Sequence, residues 1–460
     1  MTETVKIISP IDGSVYAERP LASGAEIEAA VVRAKAARQS WHEITVAERA
    51  KVMSHFVDAL LEMNDEIVQE LAWQVGRPVR FGGEKRGVEE RARHMIAIAE
   101  ASLKPLEKND KPGFTRYITR EALGTVMVIA PWNYPFLTAV NSIVPGLMAG
   151  NAVILKHASQ TLLAGERFAE ASKHAGLPEG IFQNLVLGHA DTEKLIASGA
   201  IDHINFTGSV EGGRRIEKAA AGTFATLGLE LGGKDPAYVR GDANLDNAVE
   251  NLVDGSFFNS GQSCCGVERI YVDASVYNGF VERFVENAKG WTLGNPLDEA
   301  TVVGPMARGN FADHVRGQTE EAVRGGAKRH LNSSHALDKD GSPYLAPEVL
   351  TNVNHQMSVM REESFGPVVG IMKVADDEEA ITLMNDSPYG LTASIWTEDL
   401  DAAGKIGARV ETGTVFANRC DYLDPGLVWT GVKDTGKGGA LSEIGYANLT
   451  QPKSYHFKSV

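Results

Sequence analysis

Cysteine is scarce in this chain: there are three in 460 residues, and two of them, Cys264 and Cys265, are adjacent. Three cysteines cannot build a disulfide framework, and none sits in a Cys/His cluster with metal-ligand spacing, so no metal site is expected. Long apolar runs are missing as well. No stretch reaches the roughly 18 residues that a membrane-spanning helix requires, and Met1-Thr2-Glu3-Thr4 lacks the basic region and apolar core of a signal peptide. Positive charge is also in deficit. Forty-five Lys and Arg stand against 60 Asp and Glu, a formal net charge of -15, which disfavours nucleic acid and anionic membrane surfaces as partners. A cytoplasmic protein acting on a small molecule is the expectation. Its length and 43% hydrophobic content suffice for two or three domains, each with its own core.

Two textures divide the chain. After Ser23, Ile27, Val31 and Ala34 recur at helical spacing, and Ala47 to Gln74 continues in that style, so the first hundred residues read as a largely helical scaffold that carries no site. From Gly124 short apolar runs alternate with helical segments: Thr125 to Ala130, Ala152 to Leu155, Asn184 to Leu187 and His203 to Phe206. The segment Thr161 to His174, closed by Gly176 and Pro178, is one of the crossovers. This alternation predicts an α/β domain with a parallel sheet. A second alternation after Gly232, with Arg269 to Val272, Val368 to Val374 and Ala393 to Thr397 as strands, predicts a second α/β domain.

Three short motifs carry chemistry. In Gly261-Gln262-Ser263-Cys264 a small turn delivers a thiol to a loop, although a free cysteine is more often buried and inert than catalytic. Asn133, in Pro131-Trp132-Asn133-Tyr134-Pro135, follows a predicted strand end, where α/β proteins place ligand-binding residues. Glu230 lies between Leu227-Gly228-Leu229 and Leu231-Gly232-Gly233, an uncomfortable setting for a carboxylate unless something uses it. Cys420 has a structural reading.

In their order and spacing these motifs resemble those of the aldehyde dehydrogenase superfamily, over the chain from about residue 5 to its end. The resemblance implies a Rossmann-type cofactor domain (1–103 and 124–231), a catalytic α/β domain (232–434) and a small β arm (104–123 and 435–460) that pairs with a neighbouring subunit in a homodimer or homotetramer. It makes Cys264, not Cys265, the nucleophile, Asn133 an oxyanion donor, and Glu230 the base that activates water on a thioester. The glutamate favours release of a free acid over acyl transfer to coenzyme A. Coenzyme A-acylating and non-catalytic relatives are the alternatives within the fold, and a thiol hydrolase is a third.

The resemblance further implies NAD or NADP as cofactor, although no Gly-x-Gly-x-x-Gly follows the first strand of the α/β domain. Trp132, Lys156, Gly208, Ser209, Glu363 and Phe365 match residues that hold the dinucleotide: Lys156 at the adenosine ribose, Ser209 at the pyrophosphate, and Glu363 and Phe365 at the nicotinamide ribose and ring. Strictly NAD-using relatives often carry a glutamate where Ser159 stands. Serine carries no charge to repel a 2'-phosphate, so NADP is expected to be accepted, with preference left open. Tyr134, Thr138, Phe258, Ser263, Leu423 and Trp429, with Asp421 and Arg419 nearby, match the aldehyde pocket. Aromatic walls suit an aromatic or moderately apolar aldehyde. A carboxylated semialdehyde is disfavoured because Phe258 replaces an arginine, unless Arg419 points inward. Finally, Ser142 and Ala440 stand where many relatives have a lysine and a glutamate, so Glu230 is expected to exchange its proton by another water route.

Overall fold

The computed structural model describes residues 3–108, 110–331 and 335–459. Ser23 and Thr45 each close a capping box with the glutamate three residues on, Glu26 and Glu48, which starts the helices Gly24–Glu43 and Val46–Glu62. The helical stretch from Ala47 to Gln74 comprises two helices, the second of which, Asn64–Val75, begins beyond Met63 and ends at Gly76 in a left-handed cap. The first hundred residues are not all helical. An antiparallel hairpin, Thr4–Ile8 with Val15–Pro20, precedes the helices.

A six-stranded sheet forms the first α/β unit, in the order Gly436–Lys437, Thr226–Glu230, His203–Thr207, Thr125–Ile129, Ala152–Lys156, Phe182–Asn184. All neighbours are parallel except Gly436–Lys437. The strands Thr125–Ile129 and Ala152–Lys156 are buried throughout, as expected for strands covered on both faces. The run expected at Asn184 to Leu187 pairs earlier, at Phe182–Asn184, where it meets Val153 to Leu155. From Thr125–Ile129 the chain winds outward to Phe182–Asn184 and then returns on the other side with His203–Thr207. Such a reversal opens a crevice at the carboxyl ends of the two strands that flank it.

A seven-stranded sheet forms the second unit: Lys328–Arg329, Glu348–Thr351, Val368–Val374, Val267–Asp273, Asp235–Val239, Thr392–Trp396, Thr414–Ala417. Only Lys328–Arg329 is antiparallel. Alternate residues feed two cores, with Tyr238 and Tyr271 on one face and Ala237, Val239, Ile270 and Val272 on the other.

Thr450–Lys458 pairs antiparallel with Phe114–Ala122, and Leu106–Glu107 completes a three-stranded sheet. Tyr117 and Tyr455 stack across it, with ring centroids 4.5 Å apart. Residues 435–449, grouped with the arm in the sequence reading, do not join this sheet. Gly436–Lys437 extends the six-stranded sheet beside Thr226–Glu230, and the helix Ser442–Asn448 packs on the helix Lys85–Leu103. Among the described residues no helix is long and apolar enough to cross a membrane.

Candidate active site

Four predicted residues emerge from the carboxyl end of the six-stranded sheet. Lys156 and Glu230 are the last residues of their strands, Ser209 follows Thr207 by two positions, and Asn133 lies four beyond Ile129. Pro135 then opens the helix Pro135–Met148 at its first turn, where the absence of an N–H does no harm.

The Cys264 loop follows the helix Leu245–Phe257. Asn259, Ser260 and Gly261 take φ values of 53°, 57° and 67°, three left-handed residues in succession. At Gly261 a Cβ would stand 2.3 Å from the carbonyl oxygen of Gly366, so only glycine fits there. Asn133 Nδ2 donates to Gln262 O at 3.1 Å, which ties the two motifs together two residues before Cys264. Its second amide proton remains available as a donor. Gly233 approaches the same loop so closely that a Cβ on it would lie 2.5 Å from Cys264 O. The three motifs therefore converge.

The helical segment expected to carry no site supports this convergence. Arg77, buried, donates to Asn133 O at 2.6 Å, to Asn259 Oδ1 at 3.2 Å and to Glu84 Oε1 at 2.7 Å. The other oxygen of Glu84 accepts the N–H groups of Phe136 and Leu137, at 2.9 and 2.5 Å. One ion pair thus fixes the Asn133 loop, the start of its helix and the Cys264 loop. Arg91, also buried, bonds Leu137 O at 3.0 Å and faces Cys265, Glu84, Cys264 and Glu230. None of these residues belongs to a motif. Arg77 lies in the loop after the helix Asn64–Val75, Glu84 precedes the helix Lys85–Leu103 and Arg91 lies within it, and each reads locally as an ordinary charged residue.

Cys265 is buried against a carboxylate. Cys265 is held well above the ordinary thiol range by its hydrogen bond with Cys264, by burial and by the Asp421 carboxylate, to which its Sγ donates at 2.8 Å. It remains a thiol. Burial pushes the Glu230 carboxyl upward, against the Thr207 hydroxyl that donates to it at 2.9 Å and the field of Arg91. A raised carboxyl is a stronger base than an exposed one. Cys420, its thiol raised by burial, points to Asn251 O at 3.4 Å.

The predicted cofactor residues line the seam between the two units. Trp132 stacks on Phe311 and meets Phe365 edge-on, both at 5.5 Å between centroids. Glu363 Oε1 accepts the Gly233 N–H at 2.9 Å, and burial together with Glu268 raises its carboxyl to about 7. The buried Lys234–Glu268 pair holds this loop, since Glu268 accepts from Ser364 N at 2.8 Å and Phe365 N at 2.9 Å. Ser209 caps the helix Val210–Ala220 through Gly212 N, and a Cβ at Gly208 or Gly212 would lie 2.7 Å from the Phe206 ring, so the backbone there is bare. The Lys156 ammonium, buried and lowered by that burial, donates to no described residue. A bare helix N-terminus, an unpartnered lysine and a buried carboxylate fit a dinucleotide. Ser159 has a neighbour the sequence did not suggest: Arg308 Nη2 donates to its Oγ at 3.4 Å.

Residues 1–455 of the 460 match the model of the aldehyde dehydrogenase family. The chain belongs to that family. It is 33% identical over 443 residues to a succinate semialdehyde dehydrogenase (NAD(P)+) of Escherichia coli, covering 95% of this chain and 94% of that one. A vanillin dehydrogenase of Corynebacterium glutamicum is 32% identical over 441 residues, covering 94% and 89%. The crystal structure of a succinate-semialdehyde dehydrogenase from Burkholderia pseudomallei superposes with a TM-score of 0.94 at 26% identity, covering all of this chain and 95% of that one. NAD(P)-dependent aldehyde oxidation is therefore the reaction class of this family member.

The pocket residues divide. Tyr134, with Arg77 stacked 4.8 Å from its ring centroid, faces Asp421, Cys265 and Ser263. Phe258 packs edge-on against Phe81, and Leu423 lies partly buried against the core. Thr138 turns its hydroxyl to Tyr134 O at 2.6 Å. Trp429 is buried in the core of the first unit, bridged through its backbone to Ala440. Arg419 does not point inward. It is exposed, with its guanidinium 3.4 Å from the centroid of the Tyr422 ring. Among the described residues no group of His, Cys, Asp and Glu could hold a metal ion.

Proposed function

We propose that Cys264 attacks the aldehyde carbonyl, with Asn133 Nδ2 and the backbone N–H of Cys264 donating to the oxyanion, and that Glu230 directs water onto the resulting thioester. Bound NAD(P) supplies the hydride acceptor. Attack by the Cys264 thiolate forms the C–S bond of a thiohemiacetal, whose C–H hydrogen would leave as hydride to that acceptor to give the thioester; hydrolysis then breaks the C–S bond, the proton of the water passing to Glu230 and the thiolate leaving as the acid forms. The observation that carries this reading is the meeting of all three motifs at one loop: Asn133 bonded to Gln262 and Gly233 against Cys264. Lys156, Gly208, Ser209, Glu363, Phe365 and Trp132 are proposed to hold the dinucleotide. Ser159 and Arg308 together favour acceptance of a 2'-phosphate, the first without a repelling charge and the second with an attracting one.

With Ser142 and Ala440 in place of a lysine and a glutamate, the proton of Glu230 needs an exit through water. A cavity of about 340 Å³, lined among others by Glu230, Thr207, Asn205, His203 and Ala440, supports a water route on that side. The substrate is proposed to be an aromatic or moderately apolar aldehyde, with a semialdehyde as the second choice. The exposed edge strand Thr450–Lys458 supports a homodimer or homotetramer, and the acidic composition a cytoplasmic enzyme.

The test is formation of reduced nicotinamide with a panel of aromatic, aliphatic and carboxylated aldehydes, using NAD and NADP separately. Turnover is expected for the protein and lost in Cys264→Ala. A requirement for coenzyme A, or activity that survives Cys264→Ala, would overturn the reading.

A further inference from the structure

The two side chains that flank the nucleophile end on one carboxylate. Ser263 Oγ donates to Asp421 Oδ1 at 3.1 Å, and Cys265 Sγ donates to the same oxygen at 2.8 Å. Asp421 lies beyond the strand Thr414–Ala417 with φ at +48°, a left-handed backbone that a non-glycine residue holds only where its surroundings demand it. Its other oxygen, Oδ2, accepts no hydrogen bond from the described residues. The Tyr134 phenol faces the same carboxylate.

The cations nearby do not cancel it. Arg77 is committed to Glu84, Asn259 and Asn133 O, and Arg419 lies outside on Tyr422. The Arg91 guanidinium, bonded to Leu137 O, acts on Cys265, Cys264, Glu230 and Asp421 through its field alone, and the Asp254 carboxyl, raised to about 6 by burial, feels the Asp421 charge. Burial raises the Asp421 carboxyl while the hydrogen bonds from Cys265 and Ser263 favour its ionised form, and its second oxygen is an acceptor that no described residue fills.

We propose that Asp421 determines specificity: Oδ2 receives a hydrogen-bond donor carried by the aldehyde, a hydroxyl or an ammonium, and the carboxylate turns away aldehydes that bear a carboxylate of their own. This rests on the reading of Cys264 as nucleophile. A polar group placed to meet a substrate donor discriminates far more strongly than an apolar wall, because an analogue without the donor leaves the acceptor unpaired. A like charge at short range in a partly desolvated pocket is repelled more strongly than in water. The names of the succinate semialdehyde relatives are thus not expected to predict the substrate of this chain.

The experiment compares kcat/KM for 4-hydroxybenzaldehyde, benzaldehyde and 4-carboxybenzaldehyde, at fixed cofactor and low salt, in the native protein and in Asp421→Asn. The native protein is expected to prefer the hydroxylated over the carboxylated aldehyde by about 100-fold or more, with benzaldehyde between them. In Asp421→Asn that ratio should shrink at least about tenfold, mainly through a gain on the carboxylated substrate. A native ratio near one, or a ratio unmoved in a variant that still turns over benzaldehyde, would overturn the proposal. Should Asp421→Asn fail to fold, the native ratio and its narrowing at high salt decide the matter; a ratio indifferent to salt counts against the charge. If the folded native protein turns over none of the three but oxidises another aldehyde of the wider panel, this inference falls and the reading of Cys264 stands; no turnover with any aldehyde removes both.

Discussion

The six-stranded sheet delivers its site residues from the carboxyl ends of parallel strands, whereas the seven-stranded sheet delivers them from loops bent by left-handed residues. On the first side Lys156 and Glu230 end strands, and Asn133 and Ser209 follow within a few positions. On the second side Cys264 follows three left-handed residues, and Phe365 and Asp421 are themselves left-handed, at +49° and +48°. A strand end inherits its position from the sheet. A loop must be held by something else, and here that is a set of buried ion pairs: Arg77 with Glu84, and Lys234 with Glu268. One half of the site is thus positioned by secondary structure and the other by tertiary contacts, so the two halves should fail differently when mutated.

The largest effect is expected on the strand-end side. Glu230→Gln keeps the shape and removes the base, so steady-state turnover should fall by about 10²- to 10⁴-fold while the first turnover still yields a burst of reduced cofactor. Stopped-flow absorbance checks this, and an unchanged steady state would remove Glu230 from the hydrolysis step. On the loop side, Arg77→Ala strands the buried Glu84 carboxylate and should cost about 3–5 kcal/mol of stability, read by denaturant unfolding. Adding Glu84→Gln should recover part of that loss. If Arg77→Ala changes activity alone and leaves stability intact, the ion pair is not what holds the loop.

A smaller effect is expected at the cofactor seam. Arg308→Ala should lower kcat/KM with NADP by about tenfold and leave NAD little changed, because only the 2'-phosphate needs the guanidinium. Equal losses with both cofactors would give Arg308 a structural role. Smallest is the pH effect of Glu363. Its carboxyl sits near 7, so it is ionised above that pH and protonated below it. A ribose hydroxyl donates best to the ionised form, so KM for the cofactor should rise a few-fold as pH falls through 7, and Glu363→Gln should flatten that limb.

Much of this was legible beforehand, for identifiable reasons. The alternation of apolar runs and helices from Gly124 pointed to an α/β unit on each side and to some strands of each sheet, because strands buried on both faces read as largely apolar segments. The hairpin before Gly24 was missed because its residues are largely exposed and carry little apolar pattern. Residues 435–449 were misplaced because a two-residue strand and a seven-residue helix leave almost no periodicity to read. Arg77, Glu84, Arg91 and Arg308 were missed for a different reason. Each is an ordinary charged residue locally, and becomes part of the site only through partners as far away as Asn259, 182 positions along the chain.

The amino-acid sequence by itself determined the chemical groups and the frame: a thiol on a glycine turn, an amide and a carboxylate near strand ends, and the glycines that let three backbones meet. These are properties of a residue and its near neighbours, set by steric freedom, strand and helix preference and reactivity. Tertiary structure alone decided which charges surround the thiol. It turned Arg419 outward onto Tyr422, brought Asp421 between Ser263 and Cys265, and placed Arg91 opposite both. The strength of a charge depends on what is packed within a few ångströms of it and on how much water remains, and neither can be read along the chain.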